Sequence, residues 1–324
     1  MTPLTAILAA EISASGPIPF RRFMETALYH PGHGYYSRAR DPFGKDGDFF
    51  TAEQLQPVFG RLIAELAGSL RDRMGHAQEF SVVELGAGRM EMAPAFAAFN
   101  YVPVETRRGD IPERFTGMVF ANEFFDALPV NLLVARGGTW REMLVSWCED
   151  RFLWVEGEEA GRRQLEYARR YLSAAEEGTL LEVNLDALDW LERVASRLER
   201  GWVIAIDYGY TARELIRFPQ GTLMSYRRHT ALEDVLSEPG GRDITAHVNF
   251  TALMDRAAEL GFVHTRLERL AQTLLAAGEK DQFASALAAA SDAERTRLTL
   301  QLKTLLFGMG ESFRTLLMGK DVEQ

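Results

Sequence analysis

A chain of 324 residues is long enough to bury a full core and suits one large domain or two ordinary ones. With 36 Lys and Arg against 46 Asp and Glu, its formal charge of −10 disfavours a broad electrostatic grip on nucleic acid or on an anionic membrane and suits a basic partner. The single cysteine, Cys148, excludes an internal disulfide and a four-cysteine metal site and fits a reducing compartment.

The N-terminal stretch has no basic flank and is not rich in arginine, so it does not read as a targeting peptide, and a cytoplasmic location is expected. Leu4, Ile7, Leu8 and Ile12 share a helical face instead, and no apolar run reaches the length of a membrane span. Phe20, Phe23, Met24, Ala27 and Leu28 mark a second amphipathic helix. A long loop rich in glycine and aromatics follows from His30 to Ala52, where Tyr35, Tyr36, Phe49 and Phe50 offer faces to a ring or a cation or else seal the helices onto the core. Leu55 to Leu70 repeat at helical spacing.

Ser81–Met90 reads SVVELGAGRM: a short apolar run that stops at Gly86-Ala87-Gly88, with Met92 to Phe99 expected to continue as a helix. Strand, glycine turn and helix open a nucleotide-binding β-α-β unit, and glycines let a backbone approach a ligand that a Cβ would push away. An ordinary β-α turn has the same appearance. Glu105 ends the next apolar run about 20 residues after Glu84, the spacing at which an acid meets a ribose hydroxyl pair. No phosphate-cradling G-x-x-x-x-G-K-[ST] sequence is present, so a nucleoside without a phosphate chain fits better than ATP. A third run, Met118 to Ala121, ends in Asn122-Glu123, and a fourth, Trp202 to Ile206, ends in Asp207. Ligands of open parallel sheets bind at the carboxyl ends of strands, so these polar ends point to one site.

Residues 131–160 alternate like antiparallel strands with a turn at Cys148 to Arg151. A helix is expected from Arg162 to Glu176, a strand over Thr179 to Val183, and a helix over Leu188 to Leu198 closed by Gly201. Beyond, TLMSYRRH reads as a loop, Phe250 to Leu260 as a helix, Phe262 to Leu267 as a strand, and the last fifty residues as polar-faced helices. The expected organisation is an N-terminal helical part with its loop (1–75), a Rossmann-like core with a β-hairpin insertion (76–210), and C-terminal strands that complete the sheet beneath a helical cap (211–324).

His229 and His247 are candidate general bases or structural histidines, and neither has a second ligand at metal-binding spacing, so no metal is expected. Asp126 and Asp207 follow apolar strands; Asp207 either orients a substrate or caps backbone N–H groups of the next turn. Arg227-Arg228 reads as a solvated surface pair.

Several stretches together resemble the MidA-like proteins, also called the DUF185 family: GPIPFRRFM (16–24), HPGHGYYS (30–37), GDFFTA (47–52), VELGAGR (83–89), ANEFFDALPV (121–130), WREMLV (140–145), IDYGY (206–210), GTLMSYRRH (221–229), DITAHVNFTAL (243–253) and MGESF (309–313). The resemblance runs along nearly the whole chain. It implies an α/β class I methyltransferase sheet that uses S-adenosylmethionine, with an N-terminal helical subdomain and C-terminal helical additions. It implies that Glu84, Gly86, Ala87, Gly88 and Asn122 hold the cofactor and that Glu105 binds the ribose; Asp110, in the segment where this chain is shorter than the family, is the candidate left to contact the adenine. The implied acceptor is an arginine of a protein, in mitochondria one on a respiratory complex subunit. A guanidinium calls for acidic and aromatic groups. Asp48, Phe49 and Tyr36 are the expected substrate-binding residues, and Glu123, Asp126 and Asp207 the expected catalytic ones.

The chain departs from the family at three places. Met90 stands where the family turn has a glycine, Gln54 where it has a glutamate, and only 106–120 separate Glu105 from the next strand. A crossover needs a dozen or more residues besides its strands, so the third strand and its helix are expected to be missing. These departures keep two other readings open: a non-catalytic scaffold that retains the fold, and an enzyme acting on a small molecule.

Overall fold

The computed structural model describes residues 2–37, 55–106, 109–227, 230–232 and 234–323. Asp48, Phe49, Gln54 and His229 lie outside them. The N-terminal part contains α1 (Pro3–Ser15), β1 (Ile18–Pro19), α2 (Phe20–Tyr29) and α3 (Val58–Arg73), then β2 (Ser81–Leu85), β3 (Asn100–Val104) and β4 (Phe115–Asn122). The middle contains β5 (Asn131–Arg136), β6 (Thr139–Cys148), β7 (Arg151–Glu159), α4 (Arg162–Tyr171), β8 (Leu180–Val183), α5 (Leu185–Arg197) and β9 (Leu198–Asp207). The remainder holds β10 (Gly209–Tyr210), β11 (Met224–Arg227), β12 (Thr230–Leu232), β13 (Asp243–Thr245), β14 (Val248–Asn249), α6 (Phe250–Glu259), β15 (Phe262–Arg269), α7 (Leu270–Glu279), α8 (Asp292–Thr304) and β16 (Arg314–Lys320). The chain forms two compact units. The first takes Met1–Phe50, Asp126–Leu188 and Tyr210–Ala252; the second takes Thr51–Phe125, Asp189–Gly209 and Leu253–Gln324.

The second unit is built on a six-stranded sheet in the order β15-β16-β9-β4-β2-β3. Strands β3, β2, β4 and β9 run parallel, and β16 enters antiparallel between β9 and β15. Buried Val82, Phe120, Trp202 and Ile204 share a core with Val58, Phe59, Leu62 and Ile63 of α3, as continuous apolar runs covered by helices require. No strand lies beyond β3 among the described residues, and β3 carries Pro103, whose missing N–H suits an edge strand.

Three expectations fail in this unit. Residues 91–99 form successive turns instead of a helix, because Pro94 has no N–H to give and the bonds Ala93 N–H to Met90 O (3.0 Å) and Ala95 N–H to Met92 O (3.0 Å) are i→i−3. Gly201 does not close a helix. It lies inside β9 opposite Gly117 of β4, where a Cβ on Gly201 would stand 1.9 Å from the Gly117 carbonyl oxygen. The last fifty residues are not all helical: β16 is an interior strand, its Thr315, Leu316, Leu317 and Met318 buried on both faces, a pattern without the alternation that marks a strand from sequence.

The first unit holds a five-stranded sheet ordered β1-β6-β5-β8, with β7 also paired to β6. Its core joins Leu8 and Ile12 of α1 and Phe20 and Phe23 of α2 to Val130, Leu132 and Val145. Thr2 caps α1 by accepting the Thr5 N–H at 3.3 Å, with Pro3 in the first turn where no N–H is missed. Arg21 grips Asp186 with two nitrogens. Helix α4 stops at Tyr171, short of the expected Glu176. Met224–Arg227 of the expected loop TLMSYRRH are strand, since β11 pairs with both β12 and β13 in a small antiparallel sheet that its polar sequence does not announce.

Candidate functional site

The glycine turn leaves β2 with three left-handed residues in alternation: Gly86 (φ 72°), Gly88 (φ 50°) and Met90 (φ 57°). The Gly86 N–H donates to the Val104 carbonyl at 2.8 Å, which lays the turn over the end of β3. A Cβ on Gly86 would meet the Phe124 ring at 2.9 Å. The Gly88 N–H donates to the Glu105 carboxylate. Met90 takes a left-handed backbone conformation of the kind glycine adopts freely, and its side chain is 49% exposed.

Strand register gathers most of the expected cofactor residues. Leu85 pairs with Val104 on one side and with Ala121 on the other, so Gly86, Glu105 and Asn122 stand at one level. Asn122 pairs with Ile206, which brings Glu123 level with Asp207 one step further on. Glu84 is buried, one oxygen accepting the Tyr101 hydroxyl and Oε1 having no partner. Burial, with the nearby Glu105 and Glu91 carboxylates, pushes Glu84 up to about 7 against the pull of Tyr101. Asn122 is buried with Oδ1 unpartnered, while its Nδ2 reaches Glu123 Oε1 at 3.4 Å. Glu123 is left-handed (φ 49°) and donates its N–H to Ile206 O at 2.9 Å. Asp207 is fully buried, accepting the Phe125 N–H on one oxygen at 3.1 Å and the Tyr208 N–H on the other at 3.0 Å. Asp110 lies outside this register, exposed and ion-paired with Arg193 at 2.6 Å.

The remaining candidates belong to the first unit. The Tyr36 hydroxyl donates to Asp243 Oδ1 at 2.9 Å, and its ring stacks on Tyr29 at 5.6 Å. Burial, then Asp243, then Tyr29 and Asp126 hold that hydroxyl well above the usual tyrosine range. Asp126 is buried, and its carbonyl accepts the Ala246 N–H at 3.0 Å. The His247 backbone N–H donates to Thr222 Oγ1 at 3.0 Å, and burial lowers its ring pKa. Sequence reading passed over Tyr101 and Asp243. The signal for Tyr101 is a hydroxyl on the strand next to a buried acid, and it is visible only once the pairing of β2 with β3 is known. Among the described residues no group of acidic, histidine or cysteine side chains is placed to hold a metal.

These features suit S-adenosylmethionine. Gly86 lets the turn lie against the Phe124 ring, the space beside Gly88 is open, and two buried oxygens without partners, Glu84 Oε1 and Asn122 Oδ1, ask for the donors of a cationic, hydroxyl-bearing ligand. The sheet with one reversed strand and the polar row at its carboxyl edge define a class I S-adenosylmethionine-dependent methyltransferase fold.

The profile of a family of S-adenosyl-L-methionine-dependent methyltransferases matches residues 99–267. A crystal structure from Burkholderia thailandensis bound to S-adenosyl-homocysteine is 30% identical and superposes with a TM-score of 0.88 over 99% of this chain and 92% of that one. A native crystal structure from the same organism is 31% identical, with a TM-score of 0.83. The mitochondrial protein arginine methyltransferase NDUFAF7 homolog of Drosophila melanogaster is 29% identical over 79% of this chain and 70% of its own length. Human NDUFAF7, also named a mitochondrial protein arginine methyltransferase, is 26% identical over 83% and 74%. The chain belongs to the DUF185 family of S-adenosylmethionine-dependent methyltransferases, and S-adenosylmethionine is its cofactor. The relatives named mitochondrial overturn the expected cytoplasmic location, which rested on an N-terminus that merely lacked targeting features. Among the described residues no helix is long and apolar enough to cross a membrane.

Proposed function

We propose that this protein transfers a methyl group from S-adenosylmethionine to an arginine of a protein substrate. The observation that carries the reading is the row of Glu84, Glu105, Asn122 and Glu123 at the carboxyl edge of the sheet, beside a glycine turn that keeps its left-handed geometry through Met90. Relatives named protein arginine methyltransferases, aligned over most of their length, support the acceptor. A subunit of a respiratory complex is the finer form of the same proposal.

In this reading Gly86, Ala87 and Gly88, with Glu84 and Asn122, hold the methionine end, Glu105 takes the ribose hydroxyls, and Asp110 contributes at the adenine. The bound cofactor supplies an electrophilic methyl group on a sulfonium. Transfer of that methyl group would need little from the protein beyond positioning the acceptor against it. The Glu123 carboxylate would draw the guanidinium charge towards two nitrogens and leave the lone pair of the third for the methyl carbon; the sulfonium would leave as a neutral thioether and the methylated nitrogen would lose one proton to solvent. Asp207 supports it through the Phe125 N–H, which holds the segment after Glu123 in place. Tyr36, Asp48, Phe49 and Asp126 contribute on the acceptor side. The left-handed Met90 favours this reading over a scaffold that has lost its cofactor.

Calorimetry with S-adenosylhomocysteine and transfer of a labelled methyl group into arginine-containing proteins test it together. Binding near micromolar, about −8 kcal/mol, with methylarginine recovered after acid hydrolysis is expected. No binding at millimolar ligand refutes the enzyme, and label confined to small molecules refutes the protein acceptor. Glu123→Gln is expected to lower transfer by about 100-fold while leaving cofactor affinity within about threefold.

A further inference from the structure

Glu84 sits on β2 with its side chain on the face that carries Phe120 of β4 and Pro103 of β3, the residues paired with it. Tyr101 stands two residues before Pro103 on that same face. The Tyr101 ring stacks on Phe96 at 5.9 Å, and Phe96 in turn packs edge-on against Phe120 at 5.7 Å. The hydroxyl is thereby fixed on one oxygen of Glu84, while the other, buried oxygen is left without a partner. We infer that Tyr101 is a positioning residue for cofactor capture: it pins one oxygen of Glu84 so that the unpartnered one is presented to the ammonium at the methionine end of the ligand. The inference rests on the glycine turn being the cofactor site and is independent of the acceptor.

The surroundings make this contact proton-linked. The charged and titratable groups facing Glu84 are Tyr101 of β3, Glu105 just beyond its end and Glu91 from the turns after β2, the last ion-paired with Arg89 at 2.6 Å. Strand β4 offers Phe120, and α3 offers Val58, Phe59 and Leu62, all apolar. With the Glu84 pKa raised to about 7, a large share of the free protein carries a proton there at neutral pH. The ammonium bonds much more strongly to the carboxylate than to the neutral acid, so binding sends that proton to solvent, with no covalent bond made or broken elsewhere. Tyr101 lowers this pKa by donating to the charged form, so its removal makes the proton harder to lose.

The test is calorimetric titration of the full chain with S-adenosylhomocysteine from about pH 6 to about pH 8, in buffers of different ionisation enthalpy. The wild type is expected to release up to about one proton at the acidic end, with affinity rising towards about tenfold per pH unit below neutrality and then levelling. Tyr101→Phe is expected to move the levelling point up by about one to two pH units. It therefore loses most affinity at the acidic end and recovers as the pH rises. A purely structural defect weakens binding equally at every pH, and that result overturns the inference. So does a wild-type affinity that does not change across the range. Glu84→Gln, which has no proton to lose there, is expected to flatten the profile and serves if Tyr101→Phe does not fold. Absence of binding at every pH overturns the cofactor site itself, a separate outcome.

Discussion

Two residues in the cofactor turn sit in costly states, and each cost is measurable. Glu84 is a carboxyl raised from the ordinary 4.5 to about 7 by burial. A raised carboxyl favours the folded state while it is protonated. Its contribution is full below the unfolded pKa and is lost as pH climbs to about 7, a penalty of about 3 kcal/mol above that point. Glu84→Gln is therefore expected to be more stable relative to wild type at about pH 8 than at about pH 5, by up to about 3 kcal/mol, in denaturant titrations of the ligand-free protein. Met90 adopts φ 57° with a Cβ, at a cost of about 1 kcal/mol that glycine does not incur. Because glycine also gives the unfolded chain more freedom, Met90→Gly is expected to gain no more than about 1 kcal/mol. A loss of stability in urea would show that the exposed Met90 side chain contributes packing that outweighs its backbone strain.

At the scale of elements, the strands that carry the site meet at a crowded point. Gly117 and Gly201 face each other on β4 and β9, and a Cβ on Gly117 would stand 2.0 Å from the Ser81 carbonyl oxygen of β2. Backbone atoms cannot yield as a flexible side chain does. Gly117→Ala is expected to cost more than about 4 kcal/mol or to prevent folding, whereas Gly75→Ala, in open space, costs only the strain of φ 73°. A thermal melt of both variants separates the two causes. The end of β16 also ties down α5, since Lys320 Nζ donates to the carbonyls of Ala195 and Leu198, the latter at 2.8 Å. A lysine at a helix C-terminus satisfies carbonyls that the helix leaves open.

For the whole molecule, the charge of −10 bears on its partner. Opposite charge speeds encounter with a basic protein and is screened over about 10 Å at 0.1 M salt. Raising salt from about 50 to about 300 mM is expected to raise KM for a basic protein acceptor several-fold and to change affinity for S-adenosylhomocysteine by less than about twofold. Equal effects on both would place the salt dependence at the cofactor turn and not at the acceptor.

The cofactor half of this protein was legible from sequence because its signals are local. A buried parallel strand reads as a short apolar run, a turn that needs positive φ shows its glycines, and a polar residue straight after such a run marks a strand end; the places of Glu84, Gly86, Glu105, Asn122 and Asp207 at the carboxyl edge of the sheet were read that way. That no strand lies beyond β3 among the described residues agrees with the short chain length between Glu105 and β4. Tertiary structure alone decided what depends on pairing between distant segments. β16 is apolar without alternation and is a strand only because β9 and β15 flank it. Gly201 could be told from a helix cap only by the backbone of Gly117 beside it. Tyr101 became relevant only when register put its hydroxyl on Glu84, for a hydrogen bond is fixed by distance in space, and a separation of seventeen positions in sequence carries no trace of it.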